Sequence, residues 1–180
     1  MKKVALLFMG ILVFVLSACD WFPYLGKTYV GGGIPSFFAG ENTSSVTVSD
    51  FGEVDSVDSI LLTGLDQEYA GDLTIGLKSP GGRVITLLSQ EGGDADFVGD
   101  YEFVDDHDSD GLPRIVVYDD GSGTNVVVPE IYQSEGDLDE FAGSDVHGTW
   151  KLVIYDTGIN SVPANASLAS WTLKIRYSEY

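Results

Sequence analysis

The sequence predicts an all-β fold, a sandwich of short antiparallel strands. Two segments near the C-terminus alternate apolar and polar side chains with the two-residue period of a half-buried strand, and each begins its apolar face with a tryptophan. These faces carry Trp150, Leu152 and Ile154 in the segment Gly148 to Asp156, and Trp171, Leu173 and Ile175 in the last one. No window shows a sustained helical period, and turn-forming residues separate the apolar segments. This pattern is typical of a β-sandwich.

Composition limits the classes of protein that fit. The chain has 180 residues, of which 44% are hydrophobic, enough for one domain with a buried core plus a targeting segment. Its formal net charge is -19 and its pI about 4.1. Phosphate groups repel such a surface, so nucleic acid is excluded as a partner, whereas divalent cations suit Asp-rich loops.

The N-terminus has the pattern of a secretory signal. Two lysines precede an apolar run from Val4 to Val15, which is short for a membrane span, and Leu-Ser-Ala-Cys follows, ending at Cys19. This motif resembles the bacterial lipobox, which implies that residues 1–18 are a lipoprotein signal peptide and that Cys19 is acylated. The alternative is an ordinary signal peptide with a spare cysteine. Cys19 is the single cysteine, so no disulfide forms within one chain.

An acylated Cys19 anchors the protein to a membrane, because each buried CH₂ adds about 0.8 kcal/mol. Removing the signal with Lys2 and Lys3 changes the net charge from -19 to -21. Anionic lipids repel such a domain, so we expect it to face outward in the cell envelope, on the periplasmic or extracellular side. The choice between inner and outer membrane stays open.

The mature chain divides into a tether and one domain. Residues 19–33 are rich in glycine, with Gly31, Gly32 and Gly33 in a row, and we assign them to the lipidated cysteine and a tether. Residues 34–180 form the predicted sandwich. Its earlier predicted strands are Ser45 to Asp50, Val54 to Leu62, Asp72 to Lys78, Arg83 to Leu88, Tyr101 to Val104 and Ile115 to Tyr118. Ser79 to Gly82 is a predicted hairpin turn, and the acidic stretches Asp94 to Asp110 and Asp137 to Asp145 are predicted loops.

Five ordered motifs resemble the P/Homo B domain that follows the catalytic domain of kexin- and furin-like serine proteases. They are Gly71-Asp72-Leu73-Thr74-Ile75 with Ser79-Pro80-x-Gly82, Phe103-x-Asp105-Asp106, Leu138-x-x-Phe141-x-Gly143, Gly148-x-Trp150-x-Leu152-x-Ile154-x-Asp156, and Leu168-x-x-Trp171-x-Leu173. The resemblance spans about 34–177 and implies a jelly-roll, galactose-binding-like β-sandwich, bound calcium and an association with proteolysis. The chain departs from the family pattern at Ala166, where members usually carry glycine, and we expect a stand-alone module without the subtilisin-like catalytic domain.

Serine-hydrolase chemistry finds little support in the sequence. A triad needs a nucleophile, a base within hydrogen-bond reach and a carboxylate that orients the base. The chain has two histidines, His107 and His147, both in acidic stretches, and no Gly-x-Ser-x-Gly motif. Ser144, Asp145 and His147 supply the residue types, but neighbours in sequence do not form the required geometry. A carboxylate pair for glycoside hydrolysis is not diagnostic among 28 acidic residues.

Calcium is the cofactor that the sequence predicts. Asp106, Asp108 and Asp110 with Gly111 follow the first half of an EF-hand-type loop, although its twelfth position is Val117 rather than glutamate. Leu112 offers a further oxygen ligand of this predicted site through its carbonyl, and Asp105, Asp119 or Asp120 completes the shell. The alternative is a solvated acidic turn. A second predicted ligand pair is Asp72 with Asp156, although an Asp at a strand start often only bonds a turn.

We therefore expect a lipid-anchored, non-catalytic module whose calcium-ordered loops bind or stabilise a protein or glycan partner, with a separate subtilisin-like protease as the partner that the resemblance implies. Two alternatives stay open. One is a hydrolase, either a serine-type endopeptidase or a carbohydrate-active enzyme. The other is a structural envelope lipoprotein without a ligand, which is indifferent to calcium.

Overall fold

A computed structural model describes residues 25–105, 112–158 and 166–180, and these form eleven strands in two sheets. The strands are β1 (Leu25–Gly31), β2 (Gly40–Val48), β3 (Glu53–Gln67), β4 (Leu73–Lys78), β5 (Val84–Ser89), β6 (Asp96–Val104), β7 (Val117–Asp119), β8 (Asn125–Val127), β9 (Ile131–Gln133), β10 (Gly148–Asp156) and β11 (Ser170–Ser178). Short 3₁₀ helices lie at Ala70–Asp72 and Leu138–Phe141.

One sheet has seven strands and the other has four. The first follows the order β1-β11-β3-β6-β8-β7, with β9 also paired to β6, and the second follows β2-β10-β4-β5. All pairs are antiparallel except β6 with β8 and β6 with β9. The inner faces of the two sheets supply one continuous apolar core. The predicted all-β sandwich is therefore confirmed.

The two tryptophan-led strands lie in opposite sheets and occupy the centre of this core. Trp150 on β10 and Trp171 on β11 are both fully buried. The indole nitrogen of Trp171 donates a hydrogen bond to the Ser44 hydroxyl on β2, at 2.9 Å, and so links the two sheets. The indole nitrogen of Trp150 donates to the Val146 carbonyl at 3.0 Å. Each buried ring thus has a partner for its polar atom, as buried indoles require.

The sandwich has two ends, which we call lower and upper. The lower end holds the start of β1, the loop 49–52 between β2 and β3, and the end of β11, because Leu25 pairs with Tyr177 and Glu53 pairs with Ser178. The upper end holds the end of β3, the start of β4 and the end of β10, where Asp156 pairs with Leu73. Strand β6 starts at the upper end and runs toward the lower end, finishing beside the middle of β3, since Phe97 pairs with Gln67 and Val104 with Ser59.

Strand β1 lies in the segment 19–33 that the sequence assigns to the tether, so the folded domain begins before Ile34. All seven residues of β1 pair with β11. The sequence of the segment does not predict this strand, because β1 is an edge strand that contains two glycines, Gly26 and Gly31. At Gly31 the glycine is required: a Cβ there would lie 2.0 Å from the indole nitrogen of Trp171. Gly31 therefore allows the strand to pack directly on the buried ring.

The predicted acidic loops contain more regular structure than expected. Strand β6 begins at Asp96, inside the predicted loop Asp94 to Asp110, because Phe97 and Tyr101 face the core. In the second stretch, Leu138–Phe141 forms a 3₁₀ helix whose Leu138 and Phe141 are fully buried. Strands β8 and β9 were not predicted either, since three residues are too few to show a period. The hairpin turn Ser79 to Gly82 is confirmed by a hydrogen bond from the Gly82 nitrogen to the Ser79 carbonyl.

Candidate functional site

The structure describes only the two flanks of the predicted calcium loop. Asp106, Asp108 and Asp110 lie outside the described residues. Asp105, just before them, directly follows the end of β6 and is only 5% exposed. Leu112, just after them, is half-buried. Of these two flanks, Asp105 lies next to the 3₁₀ helix Leu138–Phe141.

Asp105 lies in a group of three carboxylates with Asp137 and Asp139. One oxygen atom from each of these side chains lies within 4.8 Å of the other two. The backbone nitrogen of Asp139 donates to both neighbours, to Asp105 Oδ2 at 2.8 Å and to Asp137 Oδ1 at 2.9 Å. Asp137 precedes the 3₁₀ helix and caps it, whereas Asp139 lies in its first turn. The buried Leu138 and Phe141 hold this helix against the core and so fix the two exposed aspartates beside the buried one.

The spacing of this group fits a calcium ion. Calcium binds oxygen at 2.3–2.6 Å, so two oxygens on one ion lie at most about 5.2 Å apart. The group meets this limit, and carboxylate oxygens are the ligands that calcium prefers. The sequence analysis missed Asp137 and Asp139 because they are more than 30 positions away from Asp105 along the chain. Their Asp-Leu-Asp spacing around a buried leucine is the signal from which they could have been found.

The second predicted ligand pair, Asp72 and Asp156, lies at the upper end. Both side chains are 3% exposed. Asp156 Oδ2 accepts a hydrogen bond from Gln67 Nε2 at 3.3 Å, and Asp156 Oδ1 accepts one from the Gly158 nitrogen at 2.7 Å. The Asp72 carbonyl accepts from the Thr157 nitrogen at 3.0 Å. Within the described residues, the pair belongs to no group of three metal-binding side chains, so its role as a metal site stays a prediction.

Asp119 and Asp120 do not reach the Asp105 group. They end β7 and begin the turn to β8. Strand β8 pairs with the start of β6, whereas Asp105 follows the end of that nine-residue strand. Both carboxylates instead bond their own turn. Asp119 accepts from the Gly121 nitrogen, and Asp120 accepts from the nitrogen and hydroxyl of Ser122, which lowers the pKa of Asp120. Because Asp106, Asp108 and Asp110 lie outside the described residues, a role for Asp119 or Asp120 in the predicted loop site stays a prediction.

Ser144, Asp145 and His147 do not form a catalytic triad. The Ser144 hydroxyl donates to the Phe141 carbonyl at 2.5 Å. The His147 ring stacks on Phe51, with centroids 4.2 Å apart, and its buried Nδ1 has no hydrogen-bond partner among the described residues. Asp145 accepts from the His147 backbone nitrogen rather than from the ring. The serine, base and carboxylate therefore lack the hydrogen bonds that would activate a nucleophile.

A further feature of the upper end is an acidic cleft of about 300 Å³. Three carboxylates line it, together with Tyr69 and the β7–β8 turn. The lining side chains of this cleft are Glu68, Tyr69, Asp94, Asp96, Thr124 and Asn125. Asn125 Nδ2 donates to Asp94 Oδ1 at 3.2 Å, and Tyr69 takes a left-handed backbone conformation with φ +68°. A cleft of this composition attracts cations and basic side chains.

Comparison with known families identifies the class of this domain. The proprotein convertase P-domain family matches residues 61–175, which is more than half of the chain. The chain belongs to this family, as its sequence motifs predicted. A comparison with curated proteins gave no match.

Two solved structures resemble the fold, both of a serine protease of Aeromonas sobria. One is the complex of that protease with its chaperone, at 18% identity and a TM-score of 0.46 over 88% of this chain and 27% of the other. The second is the protease itself, at 18% identity and a TM-score of 0.46 over 86% and 26%. This chain therefore spans about a quarter of the length of the proteases that it matches.

Proposed function

We propose that this protein is a lipid-anchored, non-catalytic P-domain module that binds or stabilises a partner in the cell envelope, and that the partner is a subtilisin-like serine protease. The observation that carries the proposal is the P-domain match over residues 61–175. The family takes its name from proprotein convertases, in which the P domain and the catalytic domain share one chain. A separate module of this kind gives the same support to a catalytic domain on another chain.

The arrangement of Ser144 and His147 supports a non-catalytic role. The Ser144 hydroxyl and the His147 ring are both engaged in contacts that stabilise the lower end. A serine hydrolase that used these residues would instead need the hydroxyl and the ring to bond each other. The acidic cleft at the upper end gives the module a surface that suits a partner with exposed lysine or arginine side chains.

Binding to a protease tests the partner. Residues 25–180 are mixed with the catalytic domain of a subtilisin-like protease from the same genome whose own chain has no P domain, and the mixture is examined by size-exclusion chromatography. We expect a complex at about 10 µM of each protein, the range of transient partners. Elution as two separate species at that concentration contradicts the proposal.

Calcium is the second part of the proposal. The Asp105–Asp137–Asp139 group supplies three carboxylates at a spacing that fits the ion. Calcium would offset the repulsion among these carboxylates and hold the helix Leu138–Phe141 against the end of β6. The predicted ligands Asp106, Asp108 and Asp110 come soon after Asp105 in the sequence and belong to the same acidic stretch.

Thermal unfolding in excess calcium and in excess chelator tests this part. A ligand at a hundredfold excess over its Kd stabilises the native state by about 2.7 kcal/mol. We expect calcium to raise the melting temperature of the wild type and of Glu179→Gln, an exposed lower-end control. If the ion binds the Asp105 group or the loop that follows it, the rise in melting temperature is lost in Asp139→Asn or Asp108→Ala. If it binds beside Asp72, the rise is lost in Asp156→Asn. Equal melting of the wild type in both conditions contradicts calcium binding.

The lipid anchor is the third part. The signal-like pattern of residues 1–18 and the single cysteine at position 19 support it. No helix within the described ranges has the length and apolarity needed to cross a membrane. Metabolic labelling with a radioactive fatty acid tests the anchor: we expect label in the wild type and none in Cys19→Ser. Label in neither protein contradicts acylation.

A further inference from the structure

The chain enters the sandwich at its lower end. Strand β1 starts there, where Leu25 pairs with Tyr177 near the end of β11. The loop 49–52 lies directly beside this entry point. A Cβ placed on Gly52 would lie 2.2 Å from the Ser178 carbonyl oxygen, and the Lys27 ammonium lies 2.6 Å from Asp50. Phe51, between Asp50 and Gly52, therefore lies next to the point where the chain enters the domain.

The chain that joins Cys19 to this point is short. Even fully extended, the segment from Cys19 to Leu25 spans at most about 20 Å. The nine-residue strand β2 runs from the upper to the lower end and is about 30 Å long. An anchor at Cys19 therefore keeps the lower end nearer to the membrane than the upper end.

Two exposed aromatic side chains at the lower end suit a lipid surface. Phe51 is 64% exposed, and Tyr180, after the end of β11, is 82% exposed. Exposed aromatic rings are favoured at the headgroup level of a bilayer. Asp50, next to Phe51, is neutralised by its ion pair with Lys27. The net charge of the chain disfavours anionic lipids, so the surface that this end fits is zwitterionic.

We infer that the lower end of the sandwich, with Phe51 at its tip, rests on the zwitterionic lipid surface to which Cys19 is anchored. This inference depends on the proposed lipid anchor and adds the orientation of the domain. The upper end, with its acidic cleft, then points away from the bilayer and is the face open to a partner.

Two phenylalanines at opposite ends allow a matched test. Phe51 lies at the lower end, and Phe38, which precedes β2 at the upper end, is 68% exposed. Phe51→Cys and Phe38→Cys each add one thiol for a fluorescent donor, since the acylated Cys19 is blocked and the chain has no other cysteine. The full acylated chain is reconstituted in phosphatidylcholine vesicles that carry a headgroup-linked acceptor, and energy transfer is measured.

We expect transfer from Phe51→Cys to be at least about twofold more efficient than from Phe38→Cys, because the two positions differ in height by roughly the 30 Å length of β2. Equal transfer from the two variants, or more from Phe38→Cys, overturns the orientation while leaving the anchor intact. Cys19→Ser provides the control for the anchor. If the acylation-competent chain leaves the vesicles as readily as Cys19→Ser, both the anchor and the orientation fail.

Discussion

The packing of Trp171 shows how single residues fix this fold. The ring is fully buried, with its nitrogen bonded to Ser44 on the opposite sheet. The Ser44 hydroxyl donates in turn to the Gly32 carbonyl at 2.5 Å. Gly31 leaves room for the ring against β1. Three segments that are distant in sequence therefore meet at one side chain.

Replacing Gly31 with alanine tests the close approach to Trp171. The added Cβ would lie 2.0 Å from the indole nitrogen, so either the ring or β1 has to move. We expect a loss of about 2 kcal/mol or more in the free energy of unfolding, as for overpacked cores, measured by urea denaturation. Gly32→Ala is the matched control, since a Cβ there meets no atom within 4 Å. Equal stability of the two variants would show that β1 does not pack as described.

Replacing Ser44 with alanine tests the link between the sheets. The change leaves the Trp171 nitrogen buried without an acceptor, which costs about 1–3 kcal/mol. Ser45→Ala, one position further on the exposed face of β2, should change stability by less than about 0.5 kcal/mol. Chemical denaturation of both variants provides the comparison, and a Ser44→Ala protein as stable as Ser45→Ala would refute the link.

Residue-level prediction from the sequence was reliable where a side chain follows a period. Alternation placed Trp150 and Trp171 in the core, and both are fully buried. The same reasoning did not find Asp137 or Asp139, because their position beside Asp105 depends on a helix that packs against β3 and has no counterpart in local periodicity. Long-range contacts of this kind become visible only in the folded chain.

At the scale of elements, β1 is the main departure from expectation. The strand is held by its pairing with β11 and by a group of side chains at its start. Lys27 forms an ion pair with Asp50 at 2.6 Å, and its ammonium lies 5.4 Å from the centre of the Tyr177 ring. The Tyr29 hydroxyl donates to the other Asp50 oxygen at 2.5 Å. Hydrogen bonds from Lys27 and Tyr29 lower the pKa of Asp50.

Truncation tests whether β1 belongs to the domain. Residues 34–180 lack the strand and expose one edge of β11, which in the longer fragment 25–180 is paired along seven residues. We expect the shorter fragment to melt at a clearly lower temperature and to aggregate more readily, because an unpaired edge strand promotes association. Indistinguishable melting curves for the two fragments would show that β1 is part of the tether and not of the domain.

The contacts of Asp50 with Lys27 and Tyr29 predict that the free energy of unfolding depends on pH. Since the folded pKa of Asp50 is lowered, its charge stabilises the fold above the unfolded pKa of about 3.9, and this contribution is lost as pH falls through the folded pKa. The wild type should exceed Asp50→Asn in stability by a constant amount between about pH 5 and 7, and the difference should shrink below about pH 4. Denaturant titrations of both proteins at each pH measure this difference in stability. A difference that does not change down to acid pH would contradict the assigned ion pair.

The sequence predicted long elements better than short ones. The segment Gly148 to Asp156 coincides with β10, because nine alternating residues define a period. Strands β8 and β9 have three residues each, and they depend on parallel pairing with β6 rather than on their own pattern. Glycine in β1 and acidic residues at the start of β6 concealed two further strand segments from local analysis.

At the scale of the whole molecule, the two ends of the sandwich carry different chemistry. The lower end receives the chain from Cys19 and presents Phe51, whereas the upper end presents the acidic cleft. Ordered motifs across most of the chain predicted the family, and the match over residues 61–175 confirms it. The acidic cleft was not predictable, because it combines residues from the loop after β3, the start of β6 and the β7–β8 turn.

The most direct test of the proposed function is the rate at which a separate subtilisin-like catalytic domain loses activity on mild heating, with and without this chain, measured by peptide hydrolysis. We predict that the chain alone hydrolyses no peptide and that its addition slows inactivation of the catalytic domain, because a partner that binds only the native state stabilises it. Unchanged inactivation at saturating chain, or hydrolysis by the chain alone, would contradict the proposal of a non-catalytic module that stabilises a protease.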